Sequence, residues 1–550
     1  RKKLLYPLLA SCLFACSDKD TSYEVVKNDL RAPAYPLVTI DPYASAWSMS
    51  DNLYDSPVRH WTGKDFPLIG VVKVDGVSYR FMGTEELEMN AIVPTSQQGD
   101  WTGRYITDKP AGDWASADYN DSGWKSDRGA FGTKENEPTA KTQWGTRNIW
   151  VRRTVNIDRD LTGIPVYLEF SNDDDAVFYI NGVKIHSTGT TCNKNKVVKL
   201  SDEALAALKQ GDNIIAAECI NPVGNGLLDF GLQIPKHQET VFGNTAVQTS
   251  ADVQPMQTHY AFTCGGVDLK VTFTAPLFME DLKLLSRPVN YLTYSVAARD
   301  GREHEVEVYF EASPRWALDQ PYQQSASKGY EADGLLYLKS GSKEQNILAK
   351  QGDDLRIDWG YFYMVAGKEN TAYSVGNSTE LRKNFVNGTL NSASLEGEDS
   401  NGNMALVRSH GKVKNVTDKI MLGYDDIYSI QYFGTNLRPY WNSKGDRTIE
   451  AEMLAAYNEY DKLLARCYAF DKKLMEDASA AGGKEYAELC ALAYRQSIAA
   501  HKLVEAPNGD LLWLSKENNS NGCINTVDLT YPSAPLYLIY NLEQIGRAHV

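Results

Sequence analysis

The sequence predicts a multidomain β + α protein: β-sandwiches, one of them inserted into another, followed by the start of a set of helical hairpins. Three observations lead there. A chain of 550 residues, 43% of them hydrophobic, exceeds what one core accommodates and suggests roughly three or four domains. Up to about residue 445, short apolar runs alternate with polar residues and are divided by Gly, Asp and Asn turns, which is the pattern of half-buried strands. After Arg447 the apolar spacing becomes helical.

Arg1, Lys2 and Lys3 precede an apolar run from Leu4 to Ala15 that is too short to span a bilayer, the pattern of an export signal. Leu13-Phe14-Ala15-Cys16 resembles the lipobox of bacterial lipoproteins, with Cys16 as the lipidated residue, and Ser17-Asp18-Lys19-Asp20 resembles the acidic tag that sends some of them to the outer surface. An ordinary secretory signal with an incidental Cys16 is the alternative. The expectation is an exported lipoprotein of the outer membrane or cell surface of a Gram-negative bacterium, tethered through polar residues 17–30, with the membrane as a partner through its lipid anchor. No later run reaches the roughly 18 apolar residues of a membrane helix.

Residues 31–95 mix short strands with Pro and Asp turns, and Asp75-Gly76 between Val72-Val74 and Val77-Tyr79 predicts a hairpin. Residues 96–240 read as a separate sandwich, in which Val166, Leu168 and Phe170 alternate with polar neighbours and Asn181-Gly182 makes a tight turn. Residues 241–445 resume the β pattern, for example at Val306, Val308 and Phe310. The segment 31–95 is expected to belong with them, so that 96–240 is an insertion. From residue 446, Met453, Leu454, Tyr457, Leu464 and Cys467 fall at helical spacing, Gly482-Gly483 breaks the run, and Leu489, Leu492, Ala493 and Ile498 predict the apolar face of a second helix. Such an αα-hairpin alone would leave an apolar stripe wet, so further hairpins are expected beyond residue 544. Ile545 to Val550 reads as a translated sequencing adapter and Arg1 lacks a preceding methionine, which together predict a fragment.

The 71 acidic residues outnumber 56 basic ones, for a formal charge of -15, and this balance excludes a nucleic-acid partner, whose phosphates call for basic stripes. No cofactor is expected. None of the cysteines lies in a CxxC pair, so structural zinc is not indicated; Cys192 and Cys219 could pair or remain thiols. Asp173-Asp174-Asp175 could attract calcium, but it lacks the EF-hand spacing and reads better as a solvated turn.

Two resemblances follow from longer motifs. Trp114, Asp118, Asp121 and Trp124, then Gly129 to Gly132, Trp150 to Arg153, and Asn181-Gly182 together resemble the galactose-binding-like jelly-roll modules attached to many carbohydrate-active enzymes. That resemblance implies either sugar binding or a structural role. RAPAYPLVTIDPYASAWSMSDNLYDSPVRHWTG, GDDLRIDWGYFYMVA (352–366) and AYRQSIAAHKLVEAPNGDLLWLSKENNSNGCINTVDLTYPSAPLYLIYN (493–541) resemble the glutaminase A family. This implies an N-terminal β region of super-sandwich type, then an (α/α)6 toroid of six hairpins, and hydrolysis of the glutamine side-chain amide to glutamate and ammonia.

Amide hydrolysis needs an activated water or nucleophile, a proton for the leaving ammonia and donors for the oxyanion. The loop after the second helix is crowded with suitable groups: Glu517 and Asp528 as catalytic carboxylates, Lys516 and Asn521 as substrate-binding donors. The bland alternatives are a capping role or a Lys516 pair for Glu517; Asp528, between Val527 and Leu529, would be costly to bury unpaired, which favours a site role. Arg495 could hold a substrate carboxylate by a two-pronged contact or form a structural ion pair. His501 reads most simply as a helix C-terminal dipole partner. Asp425 and Trp441 close the β region and could line a substrate cleft or pack in the core. The same architecture serves glycoside hydrolases, which also use two carboxylates, so a glycan substrate is the rival to an amide. A non-enzymatic glycan-binding lipoprotein is the third reading.

Overall fold

The computed structural model describes residues 26–85, 89–134, 139–222, 224–236, 240–352, 354–391, 402–519 and 522–548. Cys16 and the lipobox therefore lie outside the described residues, as does Asn521. The chain divides into two compact units, residues 1–84 with 242–550 and residues 85–241.

The first unit is built on two antiparallel sheets. The eight-stranded sheet runs Val247–Val253, Gln257–Cys264, Val267–Thr274, Val289–Ala298, Asn415–Asp425, Tyr361–Gly367, Leu335–Ser342, Ser325–Ala332. The five-stranded sheet runs Thr371–Gly376, Asn403–Val413, His304–Ala312, Leu68–Val74, Val77–Met82, so the N-terminal segment enters it beside His304–Ala312. Along Val267–Thr274, Val267, Leu269, Val271 and Phe273 are buried while Asp268 and Lys270 are exposed, because successive side chains of a strand face opposite sides. Such residues from both sheets form one core with Leu292, Phe310, Trp316, Phe362 and Leu406.

A second core lies between the larger sheet and two helices. The helix Ile449–Gly482 starts where the Thr448 side chain accepts from the Ala451 N–H at 3.2 Å, with Glu450 and Glu452 in its first turn, where they favour the helix dipole. Its buried stripe includes Met453, Ala456, Tyr460, Leu463, Cys467, Leu474 and Met475. It stops at Gly483, whose φ of 85° suits glycine alone at no steric cost. The helix Lys484–Ala499 then folds back as an αα-hairpin.

The second helix is rotated from the face predicted by sequence. Ala487, Ala491, Tyr494, Arg495 and Ile498 are buried, whereas Leu489 is 55% exposed and Ala493 is exposed. Two alanines define the buried stripe because small side chains let the helices approach closely, a signal that weighting by hydrophobicity overlooks.

The second unit is a β-sandwich. One sheet runs Val183–Thr190, Asp175–Ile180, Gly211–Ile220, Asn148–Ile157, Thr102–Ile106, Lys125–Arg128. The other runs Thr142–Gln143, Phe131–Gly132, Leu227–Pro235, Tyr167–Asp173, Asn193–Lys199, with Met89–Val93 also on Leu227–Pro235. Ile149, Val151, Phe170, Phe178 and Phe230 fill its core. Trp150 is 3% exposed and donates to Glu218 at 2.9 Å. Cys192 is exposed and Cys219 is buried. Among the described residues no helix is long and apolar enough to cross a membrane, and no group of three or more metal-ligating side chains occurs.

Candidate functional site

The segment after the second helix is not loop from the start. His501–Glu505 and Leu511–Ser515 form a hairpin around Asn508-Gly509, with Gly509 at φ 91°. Asn-Gly between two apolar runs was the available sequence signal for it. The hairpin carries Lys502 inward, where its ammonium meets Asp41 and, at 2.9 Å, Asp426. All three side chains are at most 6% exposed.

This charge cluster ties three distant parts of the sequence together. Asp41 uses its other oxygen to accept from the backbone of Tyr43 at 2.9 Å and Ala44 at 3.0 Å. Asp426 accepts from the Ser429 hydroxyl at 2.6 Å, and its Oδ1 is buried without a hydrogen bond. Burial pushes the Asp426 carboxyl up while Lys502 pulls it down, with the upward effect winning. Burial lowers the Lys502 ammonium, but Asp41 and Asp426 outweigh it and hold the group above its ordinary value. A lysine between two carboxylates leaves one excess negative charge, a costly arrangement that any lost member would make worse.

His501 beside it stacks on Trp513 with centroids 5.3 Å apart and rings within 7° of parallel. Its Nδ1 donates to the Ser497 carbonyl at 2.7 Å, which leaves Nε2 to accept from the Tyr537 hydroxyl at 2.8 Å. Burial lowers its pKa to about 4, so it is neutral at pH 7 and fixes the hairpin on the helix Val527–Tyr540. A cavity of about 10 Å³ is lined by Asp41, Lys502, His501, Trp513 and Pro439; at that size it admits at most a water, not a substrate.

The polar loop emerges next. Lys516 pairs with Ile524 in a β-bridge, and its ammonium donates to the Gly522 carbonyl at 3.0 Å and lies 5.9 Å from the Tyr43 ring centre. Burial lowers its pKa. Asn525, at φ 60°, donates its N–H to the Ser515 carbonyl at 2.7 Å, and Thr530 donates to its side chain at 3.2 Å. The loop docks on Gly352, Asp354 and Leu355 of the sandwich: the N–H groups of Asp354 and Leu355 donate to the carbonyls of Asn519 and Asn518 at 2.8 and 3.0 Å, and Asn518 Nδ2 returns a bond to Leu355 O at 3.1 Å. A Cβ on Gly522 would stand 2.3 Å from the Gly352 carbonyl, so this close approach requires glycine.

The predicted site residues separate into two groups. Lys516, Glu517 and Asp528 share the loop; Glu517 and Lys516 are half-buried and Asp528 is exposed in the first turn of Val527–Tyr540. The argument from costly burial of Asp528 therefore fails; its setting is open and favoured by the helix dipole. The remaining residues lie elsewhere. Arg495 is fully buried, donating to Pro255 O at 3.0 Å and lying 3.5 Å from Thr39 Oγ1 and Gln254 O, so it ties the helix to the sandwich and offers nothing to a substrate. Trp441 is 3% exposed within the core between sheet and helices and lines no cleft. Asp425 is half-buried and accepts from Ile427 N at 3.1 Å, with burial raising its pKa. Sequence reasoning missed Lys502 and Asp41, whose 461-residue separation no local pattern bridges.

Comparison with known proteins bears on this geometry. Residues 483–547 match the family model described as the glutaminase A six helical-hairpin domain, and residues 8–94 and 256–477 match two domains of unknown function, DUF4964 and DUF5127. Glutaminase A of Aspergillus oryzae is 28% identical over 317 residues, which cover 54% of this chain and 45% of that protein. A probable glutaminase of Arthroderma benhamiae is 24% identical over 323 residues, covering 52% of this chain and 35% of the relative. The chain thus spans less than half the length of these curated relatives. Among solved structures, a β-glucuronidase of Bacteroides uniformis overlaps with a TM-score of 0.23 at 13% identity, over 47% of this chain and 31% of that one. A glycosyl hydrolase family 2 member from Bacteroides cellulosilyticus gives 0.22 at 13%, over 52% and 37%. Overlaps of that size decide nothing here. With three matched segments in order along the chain and two glutaminase relatives, this chain is similar to members of the glutaminase A family.

Proposed function

We propose that this chain supplies one wall of the active site of a glutaminase-like hydrolase, which cleaves a side-chain amide to a carboxylate and ammonia. The observation that carries the reading is the polar loop: its backbone is anchored to the sandwich through residues 354–355, while Asp528 stays open to solvent and Glu517 is partly open. Rigid support under exposed carboxylates suits catalysis, because a base must reach a substrate-bound water in a fixed geometry. In this scheme a loop carboxylate takes a proton from water as the oxygen attacks the amide carbon. The same proton passes to the nitrogen as the C–N bond breaks, and ammonia leaves. Lys516, whose ammonium is held near the loop backbone, stabilises the oxyanion.

The relatives' names support an amide substrate. The test is ammonia release from L-glutamine beside reducing-sugar release from a glycan panel, on this chain and on a form extended to the length of its relatives. Ammonia without sugar supports the proposal; sugar without ammonia refutes it. Export as a lipoprotein is a separate proposal resting on Leu13 to Cys16. It is tested by labelled palmitate, whose incorporation should vanish in Cys16→Ser; a label that persists would refute it.

A further inference from the structure

Glu517 sits between two anchored residues. On one side the Lys516 N–H donates to the Ala500 carbonyl at 3.0 Å, which ties the chain to the end of the second helix. On the other, Asn518 is 2% exposed and is held by Leu355 through both its backbone and its side chain. What holds Asp354 and Leu355 in turn is a buried ion pair. The Arg356 guanidinium donates from Nε and Nη2 to the Asp319 carbonyl at 3.3 and 3.2 Å, brings Nη2 to 3.1 Å from Asp319 Oδ1, and meets the Asp354 carboxylate through Nη1. The Arg356 N–H donates to the same Asp319 Oδ1 at 2.9 Å. The side chains of Arg356 and Asp319 are 1% and 4% exposed.

One guanidinium therefore fixes both ends of the stretch 354–356. Asp354 stands at φ 49°, a left-handed conformation that a short polar side chain tolerates, and its carboxylate also lies 3.6 Å from Lys64 Nζ. Arginine suits this task because its planar fork presents several donors in set directions, whereas lysine offers a point charge on a flexible stem. Desolvation makes a buried pair a weak source of stability, but this one sets geometry. A shift of Asp354 or Leu355 moves the carbonyls of Asn519 and Asn518 bound to them, and with these the backbone that carries Glu517.

We propose that Arg356 and Asp319 are positioning residues for amide hydrolysis: acting through Leu355 and Asn518, they hold Glu517 in register with the substrate. This rests on the amide-hydrolase reading above. A displacement of about 1 Å far from the chemistry is enough to cost much of a rate, so the pair contributes to kcat without touching the substrate.

The experiment measures kcat and KM for ammonia release from L-glutamine in the extended form of the protein, each corrected for folded fraction. The variants are Arg356→Lys, Asn518→Ala, Glu517→Gln and the double Arg356→Lys/Glu517→Gln. Lysine keeps the charge without the fork, and Asn518→Ala removes only the side-chain link to Leu355. Arg356→Lys and Asn518→Ala should each lower kcat about 10-fold with KM within about two-fold of the parent. With Glu517→Gln in place, Arg356→Lys should cost less than about two-fold more, because residues that act as a unit are not additive. The control is Arg382→Lys. Arg382 forks onto Glu311 at 2.8 and 2.7 Å, with both side chains 2% exposed, between the helix Ser378–Val386 and the strand His304–Ala312. Its loss should lower stability but not the kcat of the folded protein. A parental kcat in either Arg356→Lys or Asn518→Ala overturns the inference, as does a full further loss in the double variant or an equal loss in Arg382→Lys. Should Arg356→Lys fail to fold, Asn518→Ala alone and combined with Glu517→Gln decides by the same criteria. Glu517→Gln as fast as the parent also overturns it, while leaving hydrolysis through Asp528 intact. A parent that releases no ammonia removes the amide-hydrolase reading and this one with it.

Discussion

The buried cluster of Asp41, Lys502 and Asp426 and the polar loop from Lys516 to Asp528 both carry charged side chains, and Lys502 lies on the hairpin that leads into the loop, yet the fold treats them oppositely. In the cluster every side chain is at most 6% exposed and Lys502 contacts both acids. In the loop Asp528 is exposed and Glu517 half-buried. Charges sealed from water cost desolvation and need partners to offset it; a carboxylate exposed on an anchored loop, as Asp528 is, stays in contact with solvent. The difference fits an architectural role for the first group and the chemistry proposed above for the second.

Substitutions should separate the two roles. Lys502→Met, which strands two buried carboxylates, should lower unfolding stability by about 3–5 kcal/mol, read by urea titration; an unchanged midpoint would show that the cluster holds nothing together. Asp528→Asn should leave that midpoint in place but reduce kcat at least ~100-fold if the carboxylate is the base. Glu517→Gln tests the same role for the other acid, and the one with the smaller loss is the supporting group.

Acid should weaken the architecture through buried neutral histidines. Burial lowers His501 and His259 to about 4 and His60 to about 3. Each binds a proton in the unfolded chain below its ordinary pKa of roughly 6.5 but not in the native state. Stability therefore falls as pH drops from about 6.5 towards 4, and His501→Phe should flatten part of that slope in pH-dependent urea melts. A smaller effect runs the other way. His304 is held above its usual pKa by hydrogen bonds with Asp75 at 2.6 Å and Asp300 at 3.1 Å. Its contribution is full below the unfolded value and is lost as pH rises through the raised one. His304→Gln should remove that alkaline loss, and a slope that persists would assign it elsewhere.

The legible parts of the fold were those written locally. Alternation marked Val306, Val308 and Phe310, all buried in the strand His304–Ala312, and Gly482-Gly483 marked the turn between helices. The second helix face was misread because Ala487 and Ala491 bury more completely than Leu489, so Arg495 appeared marginal when it sits in the buried stripe. Asp425 was singled out where its neighbour Asp426 does the structural work, since adjacent strand-end residues point opposite ways and only tertiary packing decides which faces Lys502. The loop itself was found because its polar density is a local property.

The most direct test of this division of labour is ammonia release from L-glutamine by Asp528→Asn and Lys502→Met in the extended protein, each scored against its own folded fraction. The account predicts that Asp528→Asn is folded and nearly inactive, while Lys502→Met loses activity only in proportion to the folded protein it loses. A fully folded Lys502→Met without activity, beside an Asp528→Asn as fast as the parent, would contradict it and move the chemistry into the buried cluster.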